Sequence, residues 1–134
     1  MTNTIKLAAY GTLRLGQPNW GRFLPRAVHL GTHRIAGFRL FDGGAYPYAV
    51  PGGTGGIVAD LFSIDAATLR QCDLLEGHPD HYARRLVPVA RHEVWLYCVE
   101  RAPHGLRPIA HGDWVEHIAP GSAVRAAAGV GEGR

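Results

Sequence analysis

Apolar residues fall in short runs broken by glycine and proline as far as Gly56, and in longer, less interrupted runs beyond it. That pattern predicts short strands and turns first, one helix in the middle, and longer strands after it. Ile5 to Tyr10 reads as the first strand. Gly11 to Asn19 reads as a loop, because Gly11, Gly16 and Pro18 interrupt any regular element, and Trp20 to Leu24 as a helical turn stopped by Pro25. Val28 to Ile35 and Phe38 to Phe41 are expected strands, and His29 and His33 would then share a face. Tyr46 to Pro51 should be extended, since its prolines disfavour helix on both sides. Gly56 to Ile64 has the composition of a largely buried strand.

The clearest helix signal runs from Ala66 to Glu76. Asp65 is a suitable N-cap, and Leu69, Cys72 and Leu75 recur at helical spacing. Gly77 can take the left-handed conformation that closes a helix, and Pro79 blocks continuation. Tyr82 to Arg91 and Glu93 to Glu100 are strand-like and near enough to pair as a hairpin around Arg91-His92. Arg101 to Asp113 reads as irregular. The elements together predict an α+β fold: a small mixed, mostly antiparallel β-barrel with one main helix packed beside it. A single domain is expected over residues 1–125, with a flexible tail at 126–134.

Composition narrows the function. Hydrophobic residues make up 46% of the 134 and charged residues 19%, which is the balance of a globular chain and not a disordered one. The net charge of +3 is spread over scattered arginines, with Lys6 the only lysine and Arg84-Arg85 the only adjacent pair. No basic stripe with interleaved aromatics is present, so neither nucleic acid nor a membrane is an expected partner. No apolar run is long enough for a spanning helix, and the N-terminus lacks the long apolar segment of a secretory signal. A cytoplasmic location follows as the default. Cys72 and Cys98 show no CxxC spacing and read as buried, reduced thiols.

Two segments could carry chemistry. In Tyr10-Gly11-Thr12-Leu13 a strand runs into a glycine-containing loop, which can turn successive backbone N–H groups to one side and bind a carboxylate or an oxyanion. A plain turn would have the same sequence. No Gly-Lys-Ser/Thr follows, and no dinucleotide fingerprint is present. The second segment is Asp73 to Pro79, followed by Tyr82 and Arg84. Glu76 falls at the helix C-terminus, where the dipole disfavours a carboxylate, and desolvation there would raise its pKa further. A raised pKa suits a general acid/base. A solvated glutamate beside a capping glycine is the plain alternative. HExxH and zinc-type His/Cys spacing are absent, and Ser63 and Ser122 lie in no GxSxG context, so neither a metal nor a serine nucleophile is expected.

Taken in order, Tyr10-Gly11-Thr12-Leu13, Tyr46-Pro47, Asp73-x-x-Glu76-Gly77, Tyr82-x-Arg84 and Gly112-Asp113-Trp114 resemble the gamma-glutamylcyclotransferase-like family, including plant avirulence-induced proteins and small bacterial relatives. The resemblance spans roughly residues 5 to 118. It implies a small mixed β-barrel with a cavity between the first-strand loop and the helix bearing the glutamate. It implies that Glu76 is the catalytic carboxylate and that Tyr10, Gly11, Thr12 and Leu13 form the substrate-binding loop. Tyr46, Pro47 and Tyr82 would stand near the cavity. Thr12 departs from the serine common in the family. The implied reaction cyclises a gamma-glutamyl amine or amino acid to 5-oxoproline and releases the amine, with no cofactor. The expected partner is a small gamma-glutamyl substrate, and the protein a monomer or small homo-oligomer. A non-catalytic module that binds a small carboxylate or amide is the alternative within the same fold.

Overall fold

In a computed structural model, residues 5–120 are described. The first strand, β1 (Ile5–Ala9), lies near the middle of a five-stranded sheet completed by β2 (Val28–Ile35), β5 (Ile57–Ile64), β6 (Ala83–Val89) and β7 (His92–Cys98). The strand order is β2-β5-β1-β7-β6, and only the β1–β7 pairing is parallel. A three-stranded sheet of order β4-β3-β8 is built from β3 (Phe38–Asp42), β4 (Pro47–Pro51) and β8 (Arg107–Pro108). The expected α+β fold, mostly antiparallel with one main helix, is borne out. Its barrel-like wall consists of two open sheets, since β2 and β6 pair with no further strand among the described residues.

Strand alternation sends the residues of β1 and β5 into two cores. Ala8, Ala59, Leu61 and Ile57 face the three-stranded sheet and meet Leu40 and Ala49. Leu7, Ala9, Phe62 and Ile64 face the other way and meet the main helix, α2 (Ala66–Glu76), through Leu69 and Cys72. The helix starts as its sequence predicts: Asp65 accepts a bond from the Thr68 N–H at 2.8 Å. A cap of this kind stabilises by about 1 kcal/mol. It ends at Gly77, whose φ of 68° is the left-handed conformation a glycine adopts without steric cost. The short α1 (Trp20–Phe23) follows the first loop. Among the described residues no helix is long and apolar enough to cross a membrane.

Three local expectations are corrected. The β6–β7 hairpin turns at Ala90-Arg91, one residue before the expected place, because Val89 pairs with His92 and Ala90 takes a positive φ of 54°. The segment read as irregular contains the short strand β8, and a helix, α3 (Trp114–Ile118), follows it. Its signal was present: Asp113 caps the N–H of Glu116, the Asp-x-x-Glu spacing of a helix start. Finally, His29 and His33 do not share a face. A bulge between His29 and Thr32 shifts the register, so His29 pairs with Phe62, Thr32 with Asp60 and His33 with Ala59. The expected tail at 126–134 lies outside the described residues.

Candidate active site

The end of β1 and the end of α2 meet at one cavity, of about 160 Å³. They meet there because β1 is central in the sheet and α2 lies across the same sheet face, so the loop after the strand faces the last turn of the helix. Tyr10, Gly11, Thr12 and Leu13 form one wall, and Leu75 and Glu76 another. Tyr46, Pro47, His81 and Tyr82 complete the rim. All eight sequence-derived site residues therefore line one space.

Their side chains serve different ends. The Tyr10 ring is buried, and its hydroxyl donates to the Tyr97 carbonyl at 2.6 Å and accepts from the Ala49 N–H at 3.3 Å. Burial, followed by the nearby Tyr82 and Glu76, raises its pKa well above the usual tyrosine value. This hydroxyl ties the end of β1 to β7 and to β4. Gly11 packs against Pro47 so closely that a Cβ there would lie 2.7 Å from the Pro47 Cδ. Thr12 accepts a bond from Asn19 Nδ2 at 2.9 Å, and Asn19 in turn sends its N–H to the Thr12 carbonyl at 2.9 Å. These two bonds curl the loop. Among the described residues the N–H groups of Gly11, Thr12 and Leu13 have no hydrogen-bond partner.

Glu76 faces this loop. It is partly buried, and among the described residues its carboxyl makes neither a hydrogen bond nor an ion pair. Loss of water around the carboxyl pushes its pKa up to about 7. Asp73, one turn earlier, has the opposite character. Burial opposes its charge, but bonds from Arg84 (2.8 and 3.2 Å) and from the Tyr97 hydroxyl (2.6 Å) outweigh burial and hold its carboxyl below the usual range. Two carboxylates on one helix thus differ in pKa because one is saturated with donors and the other has none.

The rim is aromatic. Tyr82 donates to the Pro47 carbonyl at 2.8 Å and stacks on Tyr48 with ring centroids 5.4 Å apart. Tyr46 and His81 meet edge-on at 6.4 Å, and His81 meets Tyr82 at 4.7 Å. Among the described residues no lysine or arginine lines the cavity. An anionic group entering it would therefore be met by backbone amides and hydroxyls. Among the described residues no group of three or more His, Cys, Asp or Glu side chains is placed to hold a metal ion.

Sequence reasoning missed several participants. His81 and Tyr97 reach the cavity without having been read as site residues, and Asn19, at the end of the Gly11 loop, lines it as well. Arg14 and Asp60, an ion pair behind that loop, had no legible signal, because 46 residues separate them.

The family model described as gamma-glutamyl cyclotransferase, AIG2-like, matches residues 7–116. That stretch runs from β1 through the start of α3 and includes every residue of the cavity wall discussed above. The gamma-glutamylcyclotransferase family protein YtfP of Escherichia coli K12 is 35% identical over 112 residues, covering 84% of this chain and 97% of its own. The solution structure of ytfP from Escherichia coli matches with a TM-score of 0.67 at 33% identity, covering 84% and 98% of the two chains. A crystal structure of a protein from Pyrococcus horikoshii matches with a TM-score of 0.73 at 29% identity, covering 84% and 92%. A cavity that joins the loop after the first strand to a glutamate at a helix end, within a fold and sequence shared along nearly the whole of these relatives, makes this chain a member of the gamma-glutamyl cyclotransferase, AIG2-like family.

Proposed function

We propose that the protein cyclises a gamma-glutamyl amine or amino acid to 5-oxoproline, releasing the free amine. The observation that carries this reading is a partnerless Glu76 carboxyl, its pKa pushed up by burial to about 7, lining the same cavity as Gly11, Thr12 and Leu13, whose amides have no hydrogen-bond partner among the described residues. A carboxyl that titrates near neutrality can both take and return a proton within one turnover.

In the proposed reaction the substrate α-carboxylate and γ-carbonyl lie against the Gly11–Leu13 amides. The Glu76 carboxylate takes a proton from the α-ammonium. The freed nitrogen attacks the γ-carbonyl carbon, and the negative charge that develops on oxygen is met by the amides. The bond from that carbon to the leaving nitrogen then breaks as the carboxylic acid of Glu76 delivers its proton to the departing amine, and the ring nitrogen gives up its second proton to the Glu76 carboxylate so formed, which passes it to the released amine. One C–N bond forms and one breaks, and no water is consumed. Nucleophile and electrophile belong to one molecule, so the protein's main work is to hold the folded conformer.

Glutamine at position 76 offers a similar shape but accepts no proton, and a pure binding module would not need the carboxylate near an anionic ligand. The test is a panel of gamma-glutamyl amines, amino acids and peptides assayed for 5-oxoproline. Release of 5-oxoproline from at least one member, lost in Glu76→Gln, supports the reading. Ligand-induced stabilisation with no product from any member overturns it in favour of the binding module.

A further inference from the structure

The loop that carries Gly11, Thr12 and Leu13 is gripped from behind by a buried ion pair. Arg14 and Asp60 are 8% and 3% exposed, and neither lines the cavity. Arg14 Nε donates to Asp60 Oδ2 at 3.0 Å, and the Leu15 N–H donates to the same oxygen at 3.1 Å. Thr32 Oγ1 donates to Asp60 Oδ1 at 2.6 Å, and His29 Nε2 lies 3.1 Å from that oxygen. The bulge of β2 is what brings both His29 and Thr32 to the Asp60 face of the sheet. Arg14 Nη1 reaches further, to Asp113 Oδ1 at 2.8 Å, the oxygen that also caps α3. One side chain thus links the loop to β5, to β2 through Asp60, and to α3.

A buried ion pair is a weak source of stability, because the charges lose water to form it. Its directional bonds are better suited to holding one geometry. Arginine bridges two carboxylates through a planar fork, which a lysine cannot do. Arg14 immediately follows the three unpartnered amides, and its own N–H bonds the Gly11 carbonyl at 3.0 Å. A shift of Arg14 is therefore a rotation of those amides.

We propose that Arg14 and Asp60 are positioning residues that set the orientation of the Gly11–Leu13 amides toward the reacting carbonyl. The inference rests on the cyclisation reading above, and its effect is expected in turnover because oxyanion stabilisation depends on sub-ångström placement.

The test uses Asp60→Asn and Arg14→Lys, with folding checked by thermal denaturation. Three quantities are measured: kcat and KM for 5-oxoproline release, affinity for glutaric acid monoamide (which has no α-ammonium to cyclise), and hydrogen exchange at the Leu15 amide. Both variants should lose at least about tenfold in kcat, with faster exchange at Leu15. If Asp60→Asn does not fold, Arg14→Lys carries the test. The control is Ile35→Val, a core change between the sheets that should lower stability and leave kcat unaltered. Folded variants with parental kcat would overturn the proposal, as would an Ile35→Val loss equal to theirs. Should the parent release no 5-oxoproline yet bind the monoamide, cyclisation fails while positioning stands if Arg14→Lys weakens that binding at least about tenfold, and falls if it does not. A parent that neither releases product nor binds the monoamide would overturn both readings.

Discussion

Replacing Glu76 with glutamine removes one titrating proton from the cavity wall and changes little else in shape. Its consequence for stability follows from the carboxyl's pKa, raised by burial from 4.5 to about 7. A raised carboxyl pKa means that the folded protein holds its proton more tightly than the unfolded chain does. Stability from this group is then fully present below about pH 4.5 and is lost as pH rises through about 7. The difference of about 2.5 pK units corresponds to roughly 3 kcal/mol at 1.36 kcal/mol per unit. Glu76→Gln does not titrate, so it should match the parent near pH 4 and exceed it by up to roughly 3 kcal/mol at pH 8. Other groups titrate in both proteins and cancel in the comparison. The assay is urea unfolding of parent and variant at several pH values between 4 and 8. On gamma-glutamyl substrates the same variant should lose at least about a hundredfold in turnover. The parent's activity should fall on the acid side with a midpoint near 7, since the base form is the carboxylate. Parallel stability curves for the two proteins across this pH range would refute the desolvated carboxyl. A folded Glu76→Gln variant with parental turnover would refute its role as the proton carrier.

Three further outcomes are expected. Asp73→Asn should cost far less turnover than Glu76→Gln, because Asp73 is held by Arg84 and Tyr97 and has no proton to exchange with substrate, but its weakened bonds should lower stability by about 1–3 kcal/mol in denaturant titration. Gly11→Ala should push a methyl group into the Pro47 ring, destabilising by about 1–3 kcal/mol in the same measurement and raising KM as the cavity wall shifts. Burial first, with Glu76 and Asp73 nearby, pushes the Cys72 thiol up to about 12, and burial also raises Cys98. Neither should be alkylated in the native protein at pH 7, both should titrate as free thiols once it is unfolded without reductant, and finding no free thiol would contradict this.

Helix α2 was legible from end to end because each of its signals is local: an N-cap at Asp65, apolar residues at helical spacing, and a glycine at its close. Most strands were legible for the same reason, to within a residue or two. The proximity of the Gly11 loop to Glu76 was legible only through the resemblance, since 64 residues lie between Gly11 and Glu76 and no local pattern encodes their distance. The sequence already set Glu76 apart, by its place at the helix C-terminus and by the resemblance, but the tertiary structure decided what makes the two carboxylates differ. Packing places Arg84 and the Tyr97 hydroxyl on Asp73 and only the cavity before Glu76. It also decided the face of His29 and Thr32, because a bulge depends on a strand's partner and not on its own alternation. Local order is written in neighbouring residues, whereas ionisation and loop geometry depend on which distant groups reach the same few ångströms, and that is settled when the sheet and the helix close on each other.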